Sequence, residues 1–193
     1  MNALLSRYAH LHLWIGIIAL STFVFITPLN SLLAFDRELI LEGQIWRLVT
    51  AHLTHLNAVH LLQNMLALLI FSVFFSQYES RTYWLFSVFF IAMLCGTGLL
   101  LDGKFAYYSG ASGVIHGLFI LAAFAEYRHN KLSASVFGLI ILGKIVFEQI
   151  YGASAYSESL IGASVATNAH LYGVLAALLF IILTAYRNEP NKD

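Results

Sequence analysis

The sequence predicts an all-α membrane protein, a single domain of six transmembrane helices with both termini in the cytoplasm. Three observations carry this expectation. Of 193 residues, 60% are hydrophobic and only 10% are charged, and the mean hydropathy of +0.78 lies far from that of soluble domains. The apolar residues fall into six runs, each close to the ~20 residues that cross a bilayer. The cations between the runs are distributed unevenly, which is the signal that orients membrane proteins. Six spans of that length consume roughly 120 positions, so no separate soluble domain fits. Ten Lys+Arg balance ten Asp+Glu, and nothing in that balance points to nucleic acid. The lone Cys95 sits inside an apolar run, which excludes a disulfide framework and makes it a small buried hydrophobe.

The first run, about 11–29, has only Arg7 before it and no small-x-small site after it, so it reads as an uncleaved span and not a signal peptide. Further runs cover about 58–77, 83–101, 110–127, 133–151 and 162–186, each flanked by polar or charged residues. With the N-terminus in the cytoplasm, the inside segments hold Arg7, Arg81, Arg128, Lys131, Arg187 and Lys192, and the outside loops hold Arg37, Arg47 and Lys104. That asymmetry sets the orientation. The first connection, Asn30 to Asn57, mixes Trp46, Leu and Ile with isolated charges. It is expected to lie in the interface and pack on the bundle.

Strongly polar side chains at membrane depth are costly, so each is a functional candidate. They are His52, His55, His60 and Asn64 at and before the second span, Ser112 and His116 on the fourth, Lys144 and Glu148 on the fifth, and His170 on the sixth. Height decides which can meet. Spans two, four and six all descend toward a cytoplasmic arginine. Asn64 stands 17 residues before Arg81, Ser112 16 before Arg128, and His170 17 before Arg187, or roughly 25 Å at the helical rise. All three reach one level in the outer half of the bilayer, with His60 one turn above Asn64 on the same face.

A serine hydroxyl becomes a nucleophile when a base takes its proton, and histidine suits that task near neutrality. Acyl transfer also needs donors for the oxyanion. The expected site is therefore a dyad of Ser112 and His170, with His60, Asn64 and the Ser112 backbone N–H around the oxyanion. No Asp lies at that level to orient His170, so a triad is not expected. On span six Ala166, His170, Gly173 and Ala177 share a face, and on span four Gly113 and Gly117 follow small-xxx-small spacing. Small residues let helices approach closely enough for serine to reach histidine.

At these residues the sequence resembles the rhomboid family of intramembrane serine proteases. Trp46-Arg47, then His55, then His60-Leu61-Leu62-Gln63-Asn64 resemble the first-loop W-R motif and the second-span H-x-x-x-N. Gly110-Ala111-Ser112-Gly113, with Gly117, resembles the nucleophile motif G-x-S-G. Ala169-His170-Leu171-Tyr172-Gly173 resembles the sixth-span A-H-x-x-G, with Ala177 where a further glycine is usual. The resemblance implies a rhomboid-like bundle, Ser112 as nucleophile, His170 as base, and an oxyanion and substrate site at His60, Asn64, Gly110 and Gly113. Gly113-Val114-Ile115-His116-Gly117 and the short chain resemble the rhombosortase branch. That branch implies an inner-membrane enzyme opening to the periplasm. Its substrates are exported proteins anchored by a C-terminal Gly-Gly motif, hydrophobic helix and basic tail.

His116, one turn below Ser112, is a competing base, although a residue at i+4 points along its own helix and is better placed to order water or bond a neighbouring helix. Lys144 and Glu148 have two readings, a structural ion pair or a pair facing the substrate tail. His52 and His55 lack the partners of a zinc site, and no metal or cofactor is expected. His55 is expected to tether the first loop by hydrogen bonds. The competing function is a rhomboid-like protein that binds transmembrane helices without cutting them, against which an intact Ser112 and His170 argue.

Overall fold

The computed structural model describes residues 11–187. Arg7 and Lys192, counted in the charge asymmetry, lie outside the described residues. Helices occupy every apolar run: α1 (Leu11–Phe25), α5 (Ala58–Phe74), α6 (Arg81–Asp102), α7 (Ser112–Glu126), α8 (Lys131–Tyr151) and α10 (Thr167–Arg187). Three of them, α6, α8 and α10, are long and apolar enough to cross a membrane by themselves. The short segments are α2 (Leu29–Leu33), α3 (Arg37–Leu41), α4 (Arg47–Thr50) and α9 (Ala155–Ile161), and a two-residue β1 (Phe35–Asp36) pairs antiparallel with β2 (Tyr107–Tyr108). The first run ends four residues earlier than its hydropathy suggests, at a turn before Pro28. The sixth begins five residues later than its hydropathy suggests, at Thr167, after a turn that follows α9.

The helix starts have local causes. Asn57, Ser80, Asn130 and Ser154 each accept a hydrogen bond from the backbone N–H three residues on, capping α5, α6, α8 and α9. Asn57 also acts at long range. While its Oδ1 caps α5, its Nδ2 donates to the carbonyls of Leu160 (3.0 Å) and Ile161 (2.9 Å) at the end of α9.

The short central helix α7 is the axis of the molecule, with eleven of its fifteen residues buried. It packs most closely against α10. A Cβ on Gly113 would lie 2.7 Å from the Ala169 carbonyl oxygen, one on Gly117 2.5 Å from that of Gly173, and one on Gly173 would overlap the Gly113 carbonyl. Cys95 fills the remaining space at this crossing, its Sγ 3.3 Å from the Ala169 oxygen. The opposite end of the core is aromatic, with Trp14, Phe71 and Trp84 in edge contacts of 4.8 and 4.9 Å. By contrast, α8 buries only Ala134, Ile141, Ile145 and Glu148, and turns Leu139, Ile140, Val146, Phe147 and Ile150 outward. An outer surface of Leu, Ile and Phe is costly in water and suits lipid. The chain is a helical membrane protein.

The first connection packs on the bundle, as its composition predicts. The segment from α4 through the 3-10 turn Ala51–Leu53 meets α5 at 92°, so it lies across the helix rather than continuing it. Arg47, 5% exposed, holds it down: its guanidinium donates to Gln44 Oε1 (2.9 Å) and the Ala34 carbonyl (2.6 Å). The Leu48 backbone lies directly on Gly96, where a side chain would collide.

Candidate active site

Ser112 is the first residue of α7, so its backbone N–H and those of the next residues have no acceptor one turn earlier in the helix. The loop that delivers it is clamped by the first connection. Gly110 N–H donates to the Ala51 carbonyl (3.1 Å), and its own carbonyl accepts from Tyr108 Oη (2.6 Å) and faces His52 Nδ1 at 3.2 Å. Gly110 has φ +141°, a conformation that side chains avoid, and the His60 ring rests against it. A Cβ there would sit 2.7 Å from His60 Cε1.

His52 also faces the Ala92 carbonyl at 3.1 Å. Burial holds its pKa down to about 4, so near neutrality the ring is uncharged and donates to one of its two carbonyls. His55 tethers the first connection through its backbone, not its ring. Its N–H and carbonyl pair with the Asn30 side chain at 3.0 and 2.9 Å, and the imidazole packs edge-on to His60 at 5.2 Å. Burial, then the neighbouring His60, lowers the His55 pKa to about 3.

The close crossing of α7 and α10 brings His170 Nε2 to 2.9 Å from Ser112 Oγ. On the other edge of the ring, Nδ1 lies 2.7 Å from Glu148 Oε2. A carboxylate only accepts, so Nδ1 carries the proton and Nε2 is left with its lone pair toward the serine. Glu148 is 8% exposed, and its second oxygen is ion-paired with Lys144. His116 makes its hydrogen bond to the Ser112 carbonyl and not to the hydroxyl. Its Nδ1 bonds the Ser112 carbonyl of its own helix at 2.7 Å, and its ring stacks on His170 at 4.1 Å and 22°. It therefore engages its own helix by a hydrogen bond and the neighbouring helix by stacking.

A cavity of about 690 Å³ opens over these groups, lined by Ser112, His170, His60, Asn64, His116 and Glu148 among others. Asn64 Nδ2 spends one N–H on the His60 carbonyl (3.0 Å), which leaves the other free of that bond. Among the described residues, His116, Glu148 and His170 also form a cluster with metal-ligand side chains, their donor atoms within 4.8 Å of one another. Within this cluster His116 Nδ1 bonds the Ser112 carbonyl, and Glu148 bonds His170 and Lys144. Of the residues singled out from sequence, Ser112, His170, His60, Asn64, His116, Lys144 and Glu148 line the cavity; Gly110 and Gly113 do not line it but pack against His60 and the Ala169 backbone, and His52 and His55 brace the loop and the His60 ring.

The Rhomboid domain profile matches residues 42–187. The chain belongs to the rhomboid family. Consistent with this, it is 26% identical over 149 residues to the Bacillus subtilis (strain 168) protein named "Putative rhomboid protease YdcA", an alignment covering 77% of this chain and 71% of that one. Within the rhomboid frame, the contact that sequence reasoning missed is Glu148 to His170. A signal for it exists. Span five climbs from Lys131, and Glu148 stands 17 residues above it, the same height that the arginines give Asn64, Ser112 and His170.

Proposed function

We propose that this rhomboid is an intramembrane serine endopeptidase using Ser112 as nucleophile and His170 as general base. The observation that carries the reading is the 2.9 Å approach of His170 Nε2 to Ser112 Oγ inside a cavity on an otherwise apolar bundle. As Ser112 Oγ attacks the scissile carbonyl, Nε2 takes its proton and later delivers it to the leaving amine. The oxyanion is met by the Ser112 N–H at the start of α7, with His60 and Asn64 across the cavity. Water then attacks the acyl-enzyme, with His170 again as base. The six helical runs are six crossings, both termini are cytoplasmic, and the cavity opens to the periplasmic face of an inner membrane. The substrates are exported proteins carrying a C-terminal Gly-Gly motif, a hydrophobic helix and a basic tail, cut near that anchor. The motif from Gly113 to Gly117 supports this rhombosortase-like substrate class.

The test is co-expression with a reporter ending in such a tail. Cleavage by the intact chain and its loss with Ser112→Ala are expected. If that reporter survives but a generic rhomboid substrate is cut, the family-level activity stands and the substrate class fails. No cleavage of either moves the reading to a non-cleaving protein that binds transmembrane helices.

A further inference from the structure

We infer that Glu148 is a positioning residue for His170, so that the reacting unit is a triad of Ser112, His170 and Glu148 assembled from three helices. This rests on the serine-protease reading above. Four observations converge on it.

The two oxygens of the carboxylate are divided between different partners. Oε1 takes Lys144, and Oε2 lies 2.7 Å from His170 Nδ1. An ion pair kept only to neutralise charge has no need of the second contact. As a helix-stabilising pair, moreover, Lys144 to Glu148 runs in the weaker order, lysine first.

The carboxylate also fixes the tautomer. Without an acceptor at Nδ1, a neutral imidazole can place its proton on either nitrogen, and the form with Nε2–H cannot accept from serine. When Ser112 gives up its proton, the imidazolium that forms stands beside the carboxylate, which stabilises it without taking the proton.

The ring is held in two directions at once. Glu148 grips its edge while His116, bonded to the Ser112 carbonyl, stacks on its face. His170 can therefore neither flip nor swing away from Ser112 without breaking one of these contacts.

Finally, α8 faces outward along most of its length, and Glu148 is the one charged residue among its buried positions. A carboxylate at membrane depth is expensive unless it is used.

The test uses the full-length chain, purified in detergent, with two readouts. One is the labelling rate of Ser112 by a fluorophosphonate, with Ser112→Ala as the control. The other is kcat and KM on a transmembrane peptide that the intact chain cuts. Glu148→Gln keeps size and polarity and removes the charge. It is expected to lower kcat and labelling about 10²- to 10⁴-fold with KM changed less than about threefold, in line with the loss on neutralising a triad carboxylate. That variant strands Lys144, so the deciding protein is Lys144→Met with Glu148→Gln, which carries no uncompensated charge. If the pair is merely structural, removing both charges restores activity, because paired buried charges are commonly replaceable by neutral groups. If Glu148 positions His170, the double variant stays as slow as Glu148→Gln. Recovery in the double variant, or a Glu148→Gln rate within about threefold of the parent, overturns the triad while leaving the dyad intact. A parent chain whose Ser112 never labels overturns the protease reading and the triad together.

Discussion

Adding one methyl group at Gly173 tests whether the separation of α7 and α10 sets catalytic geometry. In Gly173→Ala the new Cβ would overlap the Gly113 carbonyl, its carbon only 2.6 Å away where ordinary contact begins at 3.4 Å. Backbone lines both sides, so no side chain can swing aside, and because the carbonyl oxygen lies nearer than its carbon the helices must part by more than about 1 Å to restore contact. Gly173 is three residues from His170, and Gly113 follows Ser112. An opening of that size along the Ser112–His170 line stretches the 2.9 Å contact to about 3.9 Å or more, beyond hydrogen-bonding range. Overpacking of this kind costs about 1–3 kcal/mol, and a displacement near 1 Å at reacting groups costs about 100-fold in rate. The assay is kcat on a transmembrane peptide in detergent, alongside the melting temperature. Gly143→Ala on α8 is the matched control, since nothing lies within 4 Å of a Cβ there. A Gly173→Ala rate within about threefold of the parent, with the fold retained, would refute the claim that this crossing sets the geometry of the site.

Ser112→Ala and His170→Ala should each abolish cleavage while the protein melts normally, whereas His116→Ala should keep substantial turnover; total loss in His116→Ala would reopen the choice of base. Gly110→Ala must adopt a φ near +141° and push against the His60 ring, so kcat should fall at least tenfold, by the misplacement argument used above; a normal rate would show that the loop relaxes without moving Ser112. His52, held uncharged in the folded protein down to about pH 4, takes up its proton more readily when unfolded. Stability is therefore full above about pH 6.5 and falls toward pH 4. Melting curves across that range should steepen in the parent and flatten in part in His52→Gln, and an unchanged slope in the variant would remove His52 as a cause.

How far the sequence could be read depended on where the deciding force lay. Hydropathy located all six apolar helices because burial in lipid is a property of composition, visible residue by residue. The height of Asn64, Ser112 and His170 came from counting along helices of fixed rise, and the structure places all three around one cavity. Glu148 is legible as a candidate but its contact with His170 is not, because the descending spans alone do not show its level and the orienting acid is a Glu and not an Asp. Lys144, four residues away, also supplied an explanation that looked sufficient. The short helices α2, α3 and α4 were illegible for a different reason. Segments of four or five residues do not hold a helix by propensity, and these are held by contacts such as Arg47 to the Ala34 carbonyl. His55 was singled out for its side chain, yet its backbone does the tethering, because the deciding partner, Asn30, is distant in sequence.

The thin attachment of α8 makes the surrounding lipid part of the site's mechanics. A 21-residue helix is about 31 Å long, close to the hydrocarbon thickness, and answers a thinner or thicker bilayer by tilting. The central α7, at fifteen residues about 23 Å, is walled in by protein and is shielded from that pull. Glu148 rides on the first of these and Ser112 on the second, with His170 between them. A tilt of α8 would therefore reach the Glu148–His170 contact before the Ser112–His170 one, and on the triad proposed above acyl chain length would become a lever on activity that needs no ligand.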